Sequence, residues 1–168
     1  MQTLFPTLPS DARVWLFATD GSLPDSALAA VRGWLPSWAS HGRPVTAEAD
    51  VLADCVLVVA AVISTEEMNA GVSGCGIDAM THAVETALAG ANLYQLPALS
   101  VAYRDAENAW QVVPRPAFRR LANGGQVDGT TQVLDLTATD LGTLRASGVE
   151  RPAAEAWHGR TFGLAVAA

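Results

Sequence analysis

Apolar residues in the first hundred positions recur with two different periods, which predict strands and helices in alternation. Residues 13–19 are apolar at both alternating sets of positions, as expected for an interior strand. Residues 45–51 and 55–63 predict a hairpin, and the second of these segments is rich enough in valine to lie centrally in a sheet. Residues 99–104 predict a fourth strand.

Two segments show the spacing of three to four residues that is typical of a helix. After Pro24, apolar residues recur at this spacing, and we predict a helix that Pro36 kinks or shortens and that His41-Gly42 ends. A second helix is predicted from about Cys75 to Ala89, after a polar loop at 64–73.

The predicted order of strand, helix, strand, strand, helix, strand indicates a fold of the α+β class. It is the split βαβ arrangement (βαββαβ) of ferredoxin-like folds, with both helices on one face of an antiparallel sheet. We expect this core at about residues 12–105, and a packed C-terminal extension at about 106–168. The extension has predicted strands at 110–113 and 131–136 and predicted helices at 116–122 and 140–147. With no linker between these parts, residues 1–168 are predicted to be a single domain.

Composition supports a folded protein in the cytoplasm. Half of the residues are hydrophobic and 16% are charged, which excludes a disordered chain. The longest apolar run, Cys55 to Ile63, is less than half of the roughly 20 residues that a membrane helix needs, so no membrane partner is expected. The first residues lack the basic and apolar pattern of a secretory signal, so we expect cytoplasmic localisation. Both cysteines, Cys55 and Cys75, are expected to be reduced.

Charge excludes several kinds of chemistry. All ten basic residues are arginine, and the net charge is −7, which disfavours nucleic acid as a partner. Without lysine the chain can form neither a Schiff base nor a Walker A phosphate loop. No cofactor is expected.

The segment around Cys75 carries the most informative pattern. At 100° per residue, Cys75, Asp78, His82 and Glu85 fall within an arc of roughly 80° on one helix face. The dipole at a helix start stabilises a thiolate, and glycines on both sides, Gly74 and Gly76, leave the thiol accessible. His82 lies about two turns further on, so the base for a reactive Cys75 would be His41 or His158, brought close by the fold.

Four interpretations of this segment stay open. In the simplest, a capped helix start with small residues precedes an ordinary solvated polar face. In the second, Cys75 is the nucleophile or redox centre of a thiol-dependent enzyme or sensor. In the third, Cys75, Asp78 and His82 bind a metal ion with one further ligand, although the strong Cys-x-x-Cys spacing of zinc sites is missing. In the fourth, the amides of residues 73–76, from Ser73 to Gly76, cradle an anion.

Tryptophans suggest a binding surface. The chain has five, and this residue type is enriched at interfaces as well as in cores. Trp38 and His41 lie one turn apart if the helix continues through them, and Trp157-His158 near the C-terminus can complete a pocket. Our first functional hypothesis is therefore a noncatalytic binding or interaction protein that uses Trp38, His41 and Trp157. Its partner would be a protein, a peptide or a small molecule.

The chain resembles two known families. Val14-Trp15, the segments 38–42 and 73–78, and Ala156-Trp157-His158 resemble a family of small bacterial proteins that are often labelled ABC transporter ATPase. Members of that family, like this chain, lack the Walker A lysine, so the resemblance implies a related fold over about 13–162 and no established activity. Residues 110–136 resemble a GYF-related module, which implies interaction with a protein or peptide.

Overall fold

The computed structural model describes residues 3–63 and 71–164, and it shows a mixed α+β protein. The chain divides into two compact units. The first comprises residues Met1–Gln95 and Ala138–Ala146, and the second comprises Leu96–Thr137 and Ser147–Ala168. The idea that the whole chain forms a single domain stays a prediction. No described helix has the length and apolar composition needed to cross a bilayer.

The first unit contains one antiparallel sheet and three helices. The strands are β1 (Arg13–Ala18), β2 (Ala39–Ser40), β3 (Arg43–Leu52) and β4 (Val56–Ile63), and the helices are α1 (Asp25–Trp34), α2 (Gly74–Gly90) and α4 (Leu141–Ser147), the last residue of α4 lying in the second unit. The strand order is β1-β4-β3-β2. A 3₁₀ turn at Leu35–Ser37 follows α1, as the kink predicted at Pro36 requires.

The valine-rich strand lies at the centre of this sheet, as predicted. In β4, residues 56–61 are all 2% exposed or less, because neighbouring strands pair with both edges and both faces are covered. On one face β4 packs against α2, whose Met80 and Val84 are fully buried. Each buried side chain of this size contributes about 1.5–3 kcal/mol to stability.

The second unit is built around a smaller antiparallel sheet. Its strands are β5 (Ser100–Arg104), β6 (Trp110–Pro114), β7 (Gln132–Leu134) and β8 (Glu150–Pro152), in the order β6-β5-β7-β8, and its helices are α3 (Arg115–Asn123) and α5 (Trp157–Phe162). Phe118 of α3 has no exposed surface and packs in a core with Val101, Val133 and Phe162.

The predicted ferredoxin-like core is not confirmed, because β5 does not join the first sheet. The strand order β1-β4-β3 matches the first three strands of that arrangement, and the fourth would lie beside β1. Instead β5 pairs with β6 and β7. At the edge of β1 away from β4, the described residues form only isolated bridges, from Arg13 to Asp140 and from Thr19 to Gln95. The alternation in β5 predicted a strand correctly, but alternation does not specify the partner strand.

Candidate functional site

The structure places the predicted polar face of α2 in solvent. Cys75, Asp78, His82 and Glu85 are all exposed, opposite the buried Met80 and Val84 side of the helix. Within the described ranges no hydrogen bond joins Cys75 to a histidine. Among those same residues no three His, Cys, Asp or Glu side chains are arranged to hold a metal ion. The solvated-face interpretation agrees with these positions, and thiol chemistry stays a prediction.

The two cysteines differ in accessibility, and this difference gives a direct test. Cys75 is exposed and Cys55 is buried. We expect a thiol reagent such as Ellman's reagent to modify one thiol per native chain and both thiols after unfolding. The variant Cys75→Ser should show no fast reaction in the native state. Fast modification of both cysteines in the folded protein would contradict the burial of Cys55.

Two segments singled out in the sequence meet at the start of α2. Ser73 caps the helix by accepting a hydrogen bond from the backbone N–H of Gly76, at 3.1 Å. The Ser40 hydroxyl donates to Ser73 Oγ at 2.9 Å and accepts from the Ser73 N–H at 2.9 Å. Trp38 Nε1 donates to the Gly76 carbonyl at 2.8 Å. These bonds attach the helix start to Trp38 and to Ser40 of β2, so the polar groups of the segment serve packing.

Glycine at position 76 is explained by this contact. A Cβ atom at Gly76 would lie 2.9 Å from Val72 Cγ1 and 3.4 Å from Ser40 Cβ, which is closer than side chains normally approach. At Gly74 a Cβ would meet nothing within 4 Å. Packing therefore requires glycine at position 76, and it does not require glycine at position 74.

Trp38 and His41 do not form the surface patch that the sequence suggested. Trp38 is 2% exposed, and its ring lies 5.8 Å from that of Trp15 and 5.7 Å from that of Trp34. His41 is exposed and does not end a helix. It forms, with Gly42, the two-residue turn between β2 and β3, with φ angles of 51° and 74°. Trp38 is a core residue because the chain is extended there.

His158 and Trp157 lie in the second unit, where His158 is 1% exposed. The two rings stack with their centroids 3.9 Å apart, and the Arg115 guanidinium lies 4.8 Å from the centroid of the Trp157 ring on α5. Burial lowers the pKa of His158, the carboxylate of Asp135 partly opposes this shift and the positive charge of Arg115 adds to it, so that the pKa is about 4. The imidazole is therefore neutral at pH 7.

The feature that sequence reasoning missed is the outer edge of β3. Strand β2 pairs with β3 only at Pro44 and Arg43, so the edge beyond Val45 has no partner strand in the described part of the chain. The N–H of Val45 points to this edge, since it donates to the Trp38 carbonyl at 3.0 Å. By alternation, the backbone groups of Ala47 and Ala49 point the same way.

Only one end of this edge is covered by side chains. Arg32 Nε donates to the Ala49 carbonyl at 2.9 Å, and the Val51 N–H donates to Asp50 Oδ1 at 2.9 Å. Among the described residues, the Val45 carbonyl, both backbone groups of Ala47 and the Ala49 N–H have no hydrogen-bond partner on this side. The open part of the edge is therefore centred on Ala47.

This edge forms the base of a groove of about 830 Å³. One wall is the N-terminal segment, residues 3–6, and the other is the 3₁₀ turn with Leu35 and Pro36 together with Arg32. Arg145 of α4 fixes the N-terminal wall by donating to the carbonyls of Leu4, Phe5 and Leu8, at 2.7–3.0 Å. The groove we call the β3-edge groove is thus defined by residues 3–6, 32, 35–36, 45–50 and 52.

The sequence contained a partial signal for this site. In β3 the even positions are polar, Thr46, Glu48 and Asp50, while β4 is apolar throughout, so β3 is typical of a strand with one solvated face. The pattern does not predict that β2 ends after two residues and leaves the edge of β3 open. The edge is open because the residues that precede β2 form α1 and the 3₁₀ turn and do not extend the strand along β3.

The fold and this site define an α+β protein with an antiparallel sheet in which the open part of the β3 edge lies in a groove. Comparison of the chain with family models, with curated proteins and with solved structures finds no match. The resemblance to the small bacterial family and that of residues 110–136 to a GYF-related module stay predictions. The strand, helix and strand predicted in the second of these segments are present as β6, α3 and β7.

Proposed function

We propose that this protein is a noncatalytic binding protein that holds an extended peptide segment of a partner protein along β3. The observation that supports the proposal is the unpaired edge centred on Ala47 at the base of the β3-edge groove. An extended peptide adds to such an edge by main-chain hydrogen bonds, and pockets beside the edge select its side chains. The groove volume of about 830 Å³ falls within the usual range for ligand sites.

The dimensions of the edge suit a short strand. Residues 46–52 extend for about 23 Å at ~3.3 Å per residue. Four backbone groups are available to an added strand without displacing Arg32, namely the Val45 carbonyl, the N–H and carbonyl of Ala47 and the Ala49 N–H. Each hydrogen bond contributes about 1 kcal/mol net, so the side chains in the groove must supply much of the affinity.

The walls of the groove favour a peptide over a second copy of the chain as the occupant. Proteins usually protect exposed edges with charged side chains, and here Arg32 and Asp50 protect only the end of the strand near Leu52. In a dimer paired through β3, each copy would bring its own residues 3–6 and Leu35-Pro36 to the shared edge, and these walls would stand in the way of the pairing. A single extended segment carries no such walls and fits between them.

The variant Ala47→Pro tests the proposal. Proline at this position removes one outward N–H group, and the bonds from β3 to β4 stay intact because proline is tolerated where the N–H faces away from the sheet. We expect Ala47→Pro to fold and to lose binding of peptides that the wild type selects from a displayed library of random decapeptides. The matched control, Ala47→Ser, keeps the N–H and should bind as the wild type does.

Four measurements make the result decisive. Circular dichroism and urea unfolding should show that Ala47→Pro keeps the fold. In the wild type, peptide addition should shift the amide NMR signals of Ala47 and Ala49 more than those of exposed residues on α2. Selection of no peptide, equal binding by Ala47→Pro, or a wild-type dimer formed through β3 in sedimentation would overturn the proposal.

A further inference from the structure

We infer that the bound segment alternates apolar and basic side chains; this inference rests on the proposed function of the β3-edge groove. In an antiparallel pair the side chains of the added strand lie beside those of β3 on each face, with Cβ atoms about 4.5–5.5 Å apart. The two faces of β3 have different chemistry. The partner strand must therefore present two different sets of side chains.

The face of β3 that carries the odd positions is apolar. Val45 and Ala49 are buried in the core of the first unit, with Ala47 packed against them. The groove wall on this side includes Leu35 and Pro36. Apolar side chains at alternate positions of the added strand would be removed from water here, at about 25 cal/mol per Å² of buried apolar surface.

The face that carries the even positions is acidic. Glu48 and Asp50 lie two positions apart on this face, and both line the groove. The Glu48 carboxylate accepts a hydrogen bond from the Thr7 hydroxyl, and its charge is not balanced by a described cation. Asp50 lies 3.5 Å from Arg32, but their side chains are 45% and 53% exposed, so water screens this pair.

Basic side chains on the added strand would complement this face. Opposite charges directly across an antiparallel pair contribute roughly 0.2–1 kcal/mol, and like charges destabilise it. The net charge of −7 acts in the same direction, because it attracts a basic segment during diffusional encounter. A segment that alternates valine or leucine with arginine or lysine meets both requirements, and one that alternates valine with glutamate fails on the acidic face.

Three synthetic heptapeptides, with valine alternating with arginine, threonine or glutamate, separate these possibilities. By fluorescence anisotropy at 50 mM salt we expect the arginine peptide to bind about fivefold or more tighter than the threonine peptide and the glutamate peptide to bind weakest. The variant Glu48→Gln should remove most of the preference for arginine. The matched control Glu85→Gln, on the exposed face of α2, should leave it unchanged.

The outcomes distinguish this inference from the proposed function. Binding of the threonine peptide that is lost in Ala47→Pro, together with no preference for arginine, would overturn the inference and keep the groove as a peptide site. Equal effects of Glu48→Gln and Glu85→Gln would also overturn it, since attraction would then depend on net charge alone. Failure of all three peptides to bind, with a library that also selects nothing, would overturn the proposed function itself.

Discussion

Lowering the pH from 7.5 to 4.5 is expected to reduce the free energy of unfolding by about 2.5 kcal/mol through His158 alone. The pKa of His158 is about 4 in the folded protein and 6.5 in the unfolded chain. Between these values the unfolded state binds more protons, so stability falls as the pH falls. Above about pH 7 the imidazole is neutral in both states, and His158 adds no pH dependence.

The surroundings of His158 explain why its charged form is disfavoured. The ring stacks on Trp157 and meets Phe118 edge-on, at 6.2 Å between centroids. Its Nδ1 atom is buried and has no hydrogen-bond partner in the described structure. A proton on this ring would be removed from water near the positive charge of Arg115, with only the Asp135 carboxylate to offset it.

Urea unfolding at several pH values measures this effect, with His158→Phe as the comparison. The variant should lose most of the slope between pH 7.5 and 4.5, because phenylalanine at position 158 cannot take up a proton. Three carboxylates with lowered pKa, Asp105, Asp128 and Asp140, lose their stabilising contribution only as the pH falls below their ordinary value of 3.8, outside this window.

A titration of the His158 ring by NMR gives the same information without a substitution. In the wild type we expect the NMR signals of the ring to titrate with a midpoint at about pH 4. A midpoint near 6.5, or an equal slope of stability with pH in the wild type and in His158→Phe, would show that the burial of this histidine has no energetic consequence.

The variant Arg145→Met is expected to lower the free energy of unfolding by about 3 kcal/mol. The guanidinium donates to the carbonyls of Leu4, Phe5 and Leu8 and to the Ser10 hydroxyl at 3.3 Å. Hydrogen bonds from a charged donor contribute more than neutral ones, and methionine keeps the aliphatic part of the side chain while removing all four. Carbonyls left without a partner regain only part of this energy from water.

The same variant should loosen the N-terminal wall of the β3-edge groove. Hydrogen exchange at residues 4–8 should become faster in Arg145→Met, and peptide affinity should fall if the wall contributes to binding. Arg120→Met is the matched control, because Arg120 is exposed on α3 and its side chain makes no described hydrogen bond. Equal stability of the two variants would show that the bonds of Arg145 do not hold the segment.

Local patterns along the sequence determined the type and position of most elements. The apolar run of β4 and the apolar side of α2 were both predicted, because periods of two and of 3.6 residues depend only on which face a side chain takes. Pro36 predicted a kinked or shortened helix for an equally local reason, since proline cannot donate the hydrogen bond that a helix needs, and α1 ends at Trp34, before the end predicted at His41-Gly42. Strand β8 and the helix α5 were too short to leave such a pattern.

Only the tertiary structure decided which strands pair and which side chains meet. The sequence of β5 is compatible with either sheet, and the sequence around Trp38 is compatible with a surface position, although the structure buries this side chain. Arg145 reaches Leu4 across most of the sequence, and no periodicity links them. The open edge of β3 could likewise not be predicted from the sequence. Periodicity fixes which face of the sheet a residue occupies, but long-range contacts fix whether another strand lies beside it.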